Sequence, residues 1–358
     1  MLDVLKPDQQ GAPRIGGGQV VGGASNPLRG WQVDRSKIGF VGTDLQRPEC
    51  ILAERDGTLW TADARGVMKI APDGTQTLIR QQADAPQRTL DATSVILGGS
   101  LPNGIAFDRQ GDILIANFGT DAIELMTRDG RSRTLHDRID GQPMGKMNFV
   151  LTDSRGRIWF SVTTRTAPWT RSVNEKIADG YVGLIDDKGI RIVADGFVGT
   201  NEIRLDAREQ WLYVVESNAR RISRLRVAED GRCSDREIFG PPDLGGIPDG
   251  FAFDAFGNLW ITLILSERLV ALTPEGELLT LLDDGHPVAL AEFERHFAAG
   301  TVTPDAMGAC QGTLAPCMAS ITFGGPDLCT VYLGSLMGTT LASFRSPVPG
   351  FPLSHWNA

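Results

Sequence analysis

The chain reads as an all-β protein, a six-bladed β-propeller with four-stranded blades, on three observations. One short pattern recurs six times: an apolar run, a turn rich in Asp and Gly, then a second apolar run. The copies are ECILAERDGTLWTAD from Glu49, NGIAFDRQGDILIAN from Asn103, NFVLTDSRGRIWFSV from Asn148, NEIRLDAREQWLYVV from Asn201, DGFAFDAFGNLWITL from Asp249 and ASITFGGPDLCTVYLGS from Ala319. The first five openings are 45 to 54 residues apart, the period of a supersecondary unit repeated around an axis. Each of those five opens on a carboxylate or a carboxamide, and this regularity is the functional clue.

The elements follow in order. Residues 1–35 are expected to form an N-terminal arm, Gly- and Pro-rich and loose up to about Arg29, and 36–358 a single propeller. The glycines of IGGGQVVGGA lack the G-x-G-x-x-G spacing and no strand precedes them, so they are not read as a nucleotide loop. SKIGFVGT (Ser36 to Thr43) is a strand placed to pair with the last blade and close the ring. Within each unit two apolar runs flank a turn. A third run (GVMKIAPDG, DAIELMTRDG, YVGLIDDKG and their counterparts) and usually a fourth (TQTLIR, RSRTLH, IRIVAD) then complete four strands. A closed ring hides the edges that an open sheet would expose. Trp60, Trp159, Trp211 and Trp260 recur in second strands, where packing is the expected role, and the turn residues Asp56, Asp108, Asp153, Asp206 and Asp254 are read as turn formers. Two stretches break the repeat, 163–180 and 283–316, the second with a helical pattern in its middle; insertions of this length are either lids or surface decoration.

Composition excludes several classes. A net charge of -9 leaves no basic surface for nucleic acid. The longest apolar stretches, such as WITLIL, are too short for a bilayer, and no signal peptide is visible at the start, so a soluble, cytoplasmic protein without a membrane partner is expected. The five cysteines show no metal-ligand spacing. The four histidines lie in turns, an insertion or the tail and are expected at the surface. No HExxH, Walker or G-x-S-x-G motif is present.

The openers carry the chemistry. In a propeller, equivalent positions of successive blades converge on the channel, so Glu49, Asn103, Asn148, Asn201 and Asp249 should face one another. A ring of carboxylate and carboxamide oxygens suits a hard cation such as Ca²⁺ and, lacking His and Cys, disfavours zinc or copper. The competing reading is that each is an ordinary turn residue bonded to its own backbone.

The repeats PNGIAFDRQGDILIAN, MNFVLTDSRGRIWFSV and PDGFAFDAFGNLWITL, with the ending ITFGGPDLCTVYLGS, resemble the SMP-30/gluconolactonase/LRE-like (regucalcin-like) family from about Arg47 onward. The resemblance implies a six-bladed propeller holding one divalent cation in its central channel and hydrolysing a lactone. It implies Glu49, Asn148, Asn201 and Asp249 as metal ligands, with Asp249 also the base, or else the nucleophile. Ca²⁺ is the first candidate, with Zn²⁺, Mn²⁺ and Mg²⁺ open. Phe149 after Asn148 and Glu202 after Asn201 depart from the family's usual Asp and Gly, which leaves the ligands intact and puts substrate identity in question. Asn103 and Arg165, with Trp169 and Arg171, are the candidate substrate-facing residues. The expected activity is opening of an aldonolactone or similar small molecule, with a phosphotriester or other ester, or a non-catalytic binding propeller, as the alternatives.

Overall fold

A computed structural model describes residues 25–81 and 101–357 of the chain. Residues 1–24, including most of the expected arm, lie outside the described part. Six four-stranded antiparallel sheets are present. The first five begin with Ile51–Ala53, Pro102–Phe107, Met147–Thr152, Thr200–Leu205 and Ile247–Phe253, and each runs outward through three further strands in chain order. The sixth begins with Met318–Gly324, continues through Thr330–Ser335 and Leu341–Arg345, and takes its outer strand from Gly39–Val41. Phe40 opposite Ala342 fixes that register, so the expected ring closure is present. A short ribbon, Arg138–Ile139 with Gln142–Pro143, stands apart from the blades.

The sequence sets the radial order through burial. First strands such as Pro102–Phe107 are buried at every position, and those of neighbouring blades pack against one another around the axis. Outer strands such as Cys233–Phe239 (CSDREIF) are mostly exposed and can carry charge. The turn acids act as expected and do one thing more. Asp153 Oδ1 accepts from the Arg155 and Arg157 amides, closing the turn, while its Oδ2 accepts from Trp159 Nε1 at 2.9 Å. Asp254 does the same for Trp260, and Glu54 replaces them for Trp60. The carboxylate thus satisfies the one polar atom of a fully buried indole, which would otherwise be orphaned between blades.

Two parts differ from expectation, and the second insertion forms the helix its pattern predicts. Ser25 to Arg29 is packed rather than loose: Leu28 is buried and Asn26 Nδ2 donates to Asn258 Oδ1. Nearby, Trp31 meets Trp260 at 5.6 Å. The 283–316 insertion folds as α1 (Pro287–Ala299) and α2 (Pro304–Gly308), capped by His286 and Thr303. The tail crosses the far end of the channel, where His355 is half-buried, not a surface residue, with Nε2 3.0 Å from the Ala53 carbonyl and its ring edge-on to Phe107. Among the described residues no helix is long and apolar enough to cross a membrane.

Candidate functional site

Five of the six first strands are irregular at the same place. Register shifts fall at Pro102/Ile105, Met147/Phe149, Thr200/Ile203, Pro248/Phe251 and Met318/Ile321. A bulge adds a residue to one strand and re-aims its side chain, and here the residues in the bulges are the openers. Asn103, Asn148, Asn201 and Asp249 therefore turn into the channel mouth, where Glu49 joins them just ahead of its strand, and all five line one cavity of about 110 Å³. The bulge of the sixth blade carries Ala319 and Ser320 and supplies no carboxylate or carboxamide.

The residue after each opener decides how closely the strands approach. At Gly104 a Cβ would stand 2.7 Å from the Phe149 Cα, and at Gly250 one would stand 2.6 Å from the Ala319 carbonyl and 2.7 Å from Glu202 Oε1. The bulky Phe149 and Glu202 thus sit against neighbouring glycines, below the cavity, and neither lines it. Both departures from the family pattern are accommodated inside the channel packing rather than in the cavity wall.

Hydrogen bonds give each opener a role. Asn103 accepts from Arg47 Nη2 at 2.5 Å and donates to Glu49 Oε1 and the Asn148 carbonyl, each at 3.0 Å. It is a clamp between an arginine and a glutamate, not a free substrate-facing amide. Glu49 Oε2, Asn148 Oδ1 and Asn201 Oδ1 are buried with no protein partner, whereas Asn201 Nδ2 is held by Ser217 Oγ at 3.1 Å. Buried oxygens are ordinarily satisfied, so these three orphans beside the Asp249 carboxylate need a common partner; Thr163 Oγ1, a fourth buried oxygen without a partner, lines the same cavity. This oxygen-only donor set fits a hard divalent cation. It depends on the asparagines: among the described residues no three His, Cys, Asp or Glu side chains are grouped closely enough to hold a metal.

Electrostatics point the same way. Burial pushes Asp249 up to about 8, with the nearby Glu202 charge adding to the shift and the Asn201 carboxamide and Arg47 opposing it. Burial also holds Glu49 well above the usual carboxylate range, against the pull of Arg47. Counting Glu49, Asp249 and Glu202 against Arg47 and Arg204, three carboxyls face two guanidiniums, so the ionised cluster carries one excess negative charge.

Two residues of this cluster were not singled out from sequence. Arg47 is 4% exposed, has a left-handed backbone (φ 57°) and precedes Pro48, a costly conformation for a non-glycine residue. That backbone delivers the guanidinium to the Pro102 carbonyl and Asn103. Nothing repeats at Arg47, so periodicity could not reveal it. Glu202 was visible only as an odd neighbour of Asn201; it bonds Arg204 at 3.1 Å.

The first insertion contributes Trp169 to the cavity, its ring edge-on to Phe118 at 5.2 Å. Arg165, expected to face substrate, is exposed instead, its guanidinium lying 4.5 Å from the Tyr181 ring centre. Arg171 is exposed and likewise outside the lining. No histidine lines this cavity. At the opposite mouth a cavity of about 300 Å³ is lined by apolar residues such as Leu52, Phe107 and Phe253 and by the tail through Trp356, and no opener reaches it.

Fold and site together define a six-bladed β-propeller with a ring of oxygen donors at one channel mouth. The chain belongs to the SMP-30/gluconolactonase/LRE-like family, whose model matches residues 48–287. Among solved structures it is similar to a gluconolactonase from Xanthomonas campestris (TM-score 0.60, 20% identity, 88% of this chain and 89% of that one). It is also similar to regucalcin from Agrobacterium tumefaciens, described as calcium-binding (TM-score 0.62, 14% identity, 88% and 97%). A luciferin-regenerating enzyme has a TM-score of 0.61 at 15% identity, covering 88% and 99%. At these identities the likeness shows the fold. An uncharacterized protein of Sulfolobus acidocaldarius is 27% identical over 132 residues, 36% of this chain, and the match spans 45% of that relative.

Proposed function

We propose that the protein is a divalent-cation-dependent hydrolase that opens a lactone ring. The observation that carries this reading is the set of buried oxygens without partners, Glu49 Oε2, Asn148 Oδ1 and Asn201 Oδ1, facing one cavity with Asp249. Those four residues would hold the ion, Ca²⁺ being the best match to their donors. When bound, it would supply Lewis-acid polarisation of the ester carbonyl. Asp249 is assigned as the general base that takes the proton from the attacking water, a role open to its carboxylate once the bound cation has displaced the proton that burial favours. Asn103 acts through others, holding Glu49 Oε1 so that Oε2 stays directed at the cavity and fixing the Arg47 guanidinium beside it. Arg47 supplies a buried positive charge near the place where an oxyanion would develop. Phe118 and Trp169 exclude bulk water from one side.

The test is a lactone panel assayed on metal-stripped and Ca²⁺-reloaded protein, wild type against Asp249→Asn. Reloading should restore turnover. The variant keeps an oxygen donor but removes the proton acceptor, so turnover should fall about 10²- to 10⁴-fold. Near-full activity in Asp249→Asn would move the base elsewhere, to Glu49 first. If the wild-type protein opens no lactone, the chain is a binding propeller or acts on another ester.

A further inference from the structure

The walls above the oxygen donors are largely apolar, and of the hydroxyls and amides among them only Thr163 Oγ1 lacks a partner. Phe118, Trp169, Ile264, Leu265, Met307 and Leu336 face the cavity. Of its polar neighbours, Ser172 Oγ donates to the Trp169 carbonyl at 2.7 Å and Ser217 Oγ to the Pro248 carbonyl at 2.6 Å. Asn218 Nδ2 donates to the Ser172 carbonyl at 2.9 Å. A polyhydroxylated ring placed here would meet one uncommitted wall hydroxyl, Thr163 Oγ1, and leave its other hydroxyls facing apolar surface or groups whose donors are committed elsewhere. Each unmatched hydroxyl would weaken binding roughly 5- to 150-fold.

The apolar wall is held in place. Trp169 rests edge-on against Phe118, and Lys146 lies 5.2 Å from the Phe118 ring centre while donating to its carbonyl at 3.0 Å. Met307 sits on α2, in an insertion fastened where the Asp284 carboxylate accepts from the Leu314 amide at 2.8 Å and Glu267 accepts from the Met318 amide at 3.2 Å. Trp169 and Met307 both come from segments that interrupt the repeat, so part of this wall is an addition to the propeller.

We infer that the site selects an ester carrying a short apolar substituent and rejects polyhydroxylated lactones. The inference takes the ester head group from the function proposed above, whereas the apolar selection stands on the cavity wall. The cavity of about 110 Å³ is small and must take the ester head group as well, so the substituent is short.

Non-hydrolysable lactams test this by calorimetry on the full chain in Ca²⁺ buffer, with δ-valerolactams bearing one- to eight-carbon chains compared with gluconolactam. Affinity should rise about fourfold per added methylene over the first carbons, as about 0.8 kcal/mol per buried CH₂ requires, and level off before the longest chains of the series. Gluconolactam should bind at least tenfold more weakly than the butyl compound. Met307→Gln and, separately, Leu336→Asn should flatten the chain-length dependence. Gluconolactam binding as tightly as the butyl lactam, no dependence on chain length, or no lactam binding at all would each overturn the inference. Alkyl lactams that bind as described, beside alkyl lactones that are never opened, would uphold the apolar selection and sink the hydrolase reading. Rapid opening of gluconolactone with the order of lactam affinities reversed would do the opposite.

Discussion

Replacing Asn103 by leucine, which keeps the branched arrangement of four side-chain heavy atoms, separates a structural clamp from a passive cavity residue. The change removes hydrogen bonds to Arg47 Nη2, Glu49 Oε1 and the Asn148 carbonyl in a setting where Asn103 itself is 3% exposed. Hydrogen bonds to charged groups contribute about 1.5–3 kcal/mol, and a neutral one about 1 kcal/mol. Glu49 is held above its usual range, so one of the two charged bonds counts at the lower value. The expected loss is about 3–5 kcal/mol. At about 1.3 °C per kcal/mol for a chain of this size, Tm should fall by roughly 4–7 °C in a calorimetric scan. Glu49→Gln in the Asn103→Leu background should cost less than it does alone, because the contact it disturbs is already gone, giving a coupling of about 1 kcal/mol or more. A Tm within 2 °C of wild type, at that same slope, or strict additivity of the two changes, would refute the clamp.

Other sites give shorter tests. Glu267 is raised to about 7 by burial, so the folded state holds a proton that the unfolded chain gives up near 4.5. Stability from this group is complete below about pH 4.5 and lost as pH rises through 7, about 3 kcal/mol in all; denaturant titrations should show Glu267→Gln losing this slope, and an unchanged slope would assign it elsewhere. Arg47→Met removes a buried positive charge beside the donors. Calorimetry should find the ion bound at least tenfold more tightly and lactone turnover lower; weaker ion binding would contradict the placement. Gly183→Ala drives a Cβ into the buried Phe160 ring and should cost about 1–3 kcal/mol in urea unfolding, whereas a neutral result would show that the ring can yield.

The repeating features were legible in the sequence, and the non-repeating ones were not. Blade number, ring closure by Gly39–Val41 and the gathering of five openers all followed from one recurring pattern, because equal sequence positions occupy equal places around an axis. The bulges that aim the openers could not be read, since the signal for them is a register shift between two strands rather than a residue type. Arg47 escaped for want of a counterpart in other blades, and the Asn103 clamp because a carboxamide's partners depend on which way its amide faces. Arg165 and Trp169 could not be ranked from sequence, since which of them the insertion turns inward is set by its fold: the arginine lies on Tyr181 and the indole lines the cavity.

The central claim, that openers from separate blades share one divalent ion, is tested most directly by calorimetric titration of the metal-stripped chain with Ca²⁺ at pH 7 in buffers of differing ionisation enthalpy. The account predicts one ion per chain. Protons should be released on binding, because Asp249, pushed up to about 8, and Glu49, also raised, would give up protons to the ion, and Asp249→Ala should abolish the high-affinity step. Saturable binding that survives both Asp249→Ala and Glu49→Ala, or no binding of Ca²⁺, Mn²⁺, Zn²⁺ or Mg²⁺ at all, would contradict it.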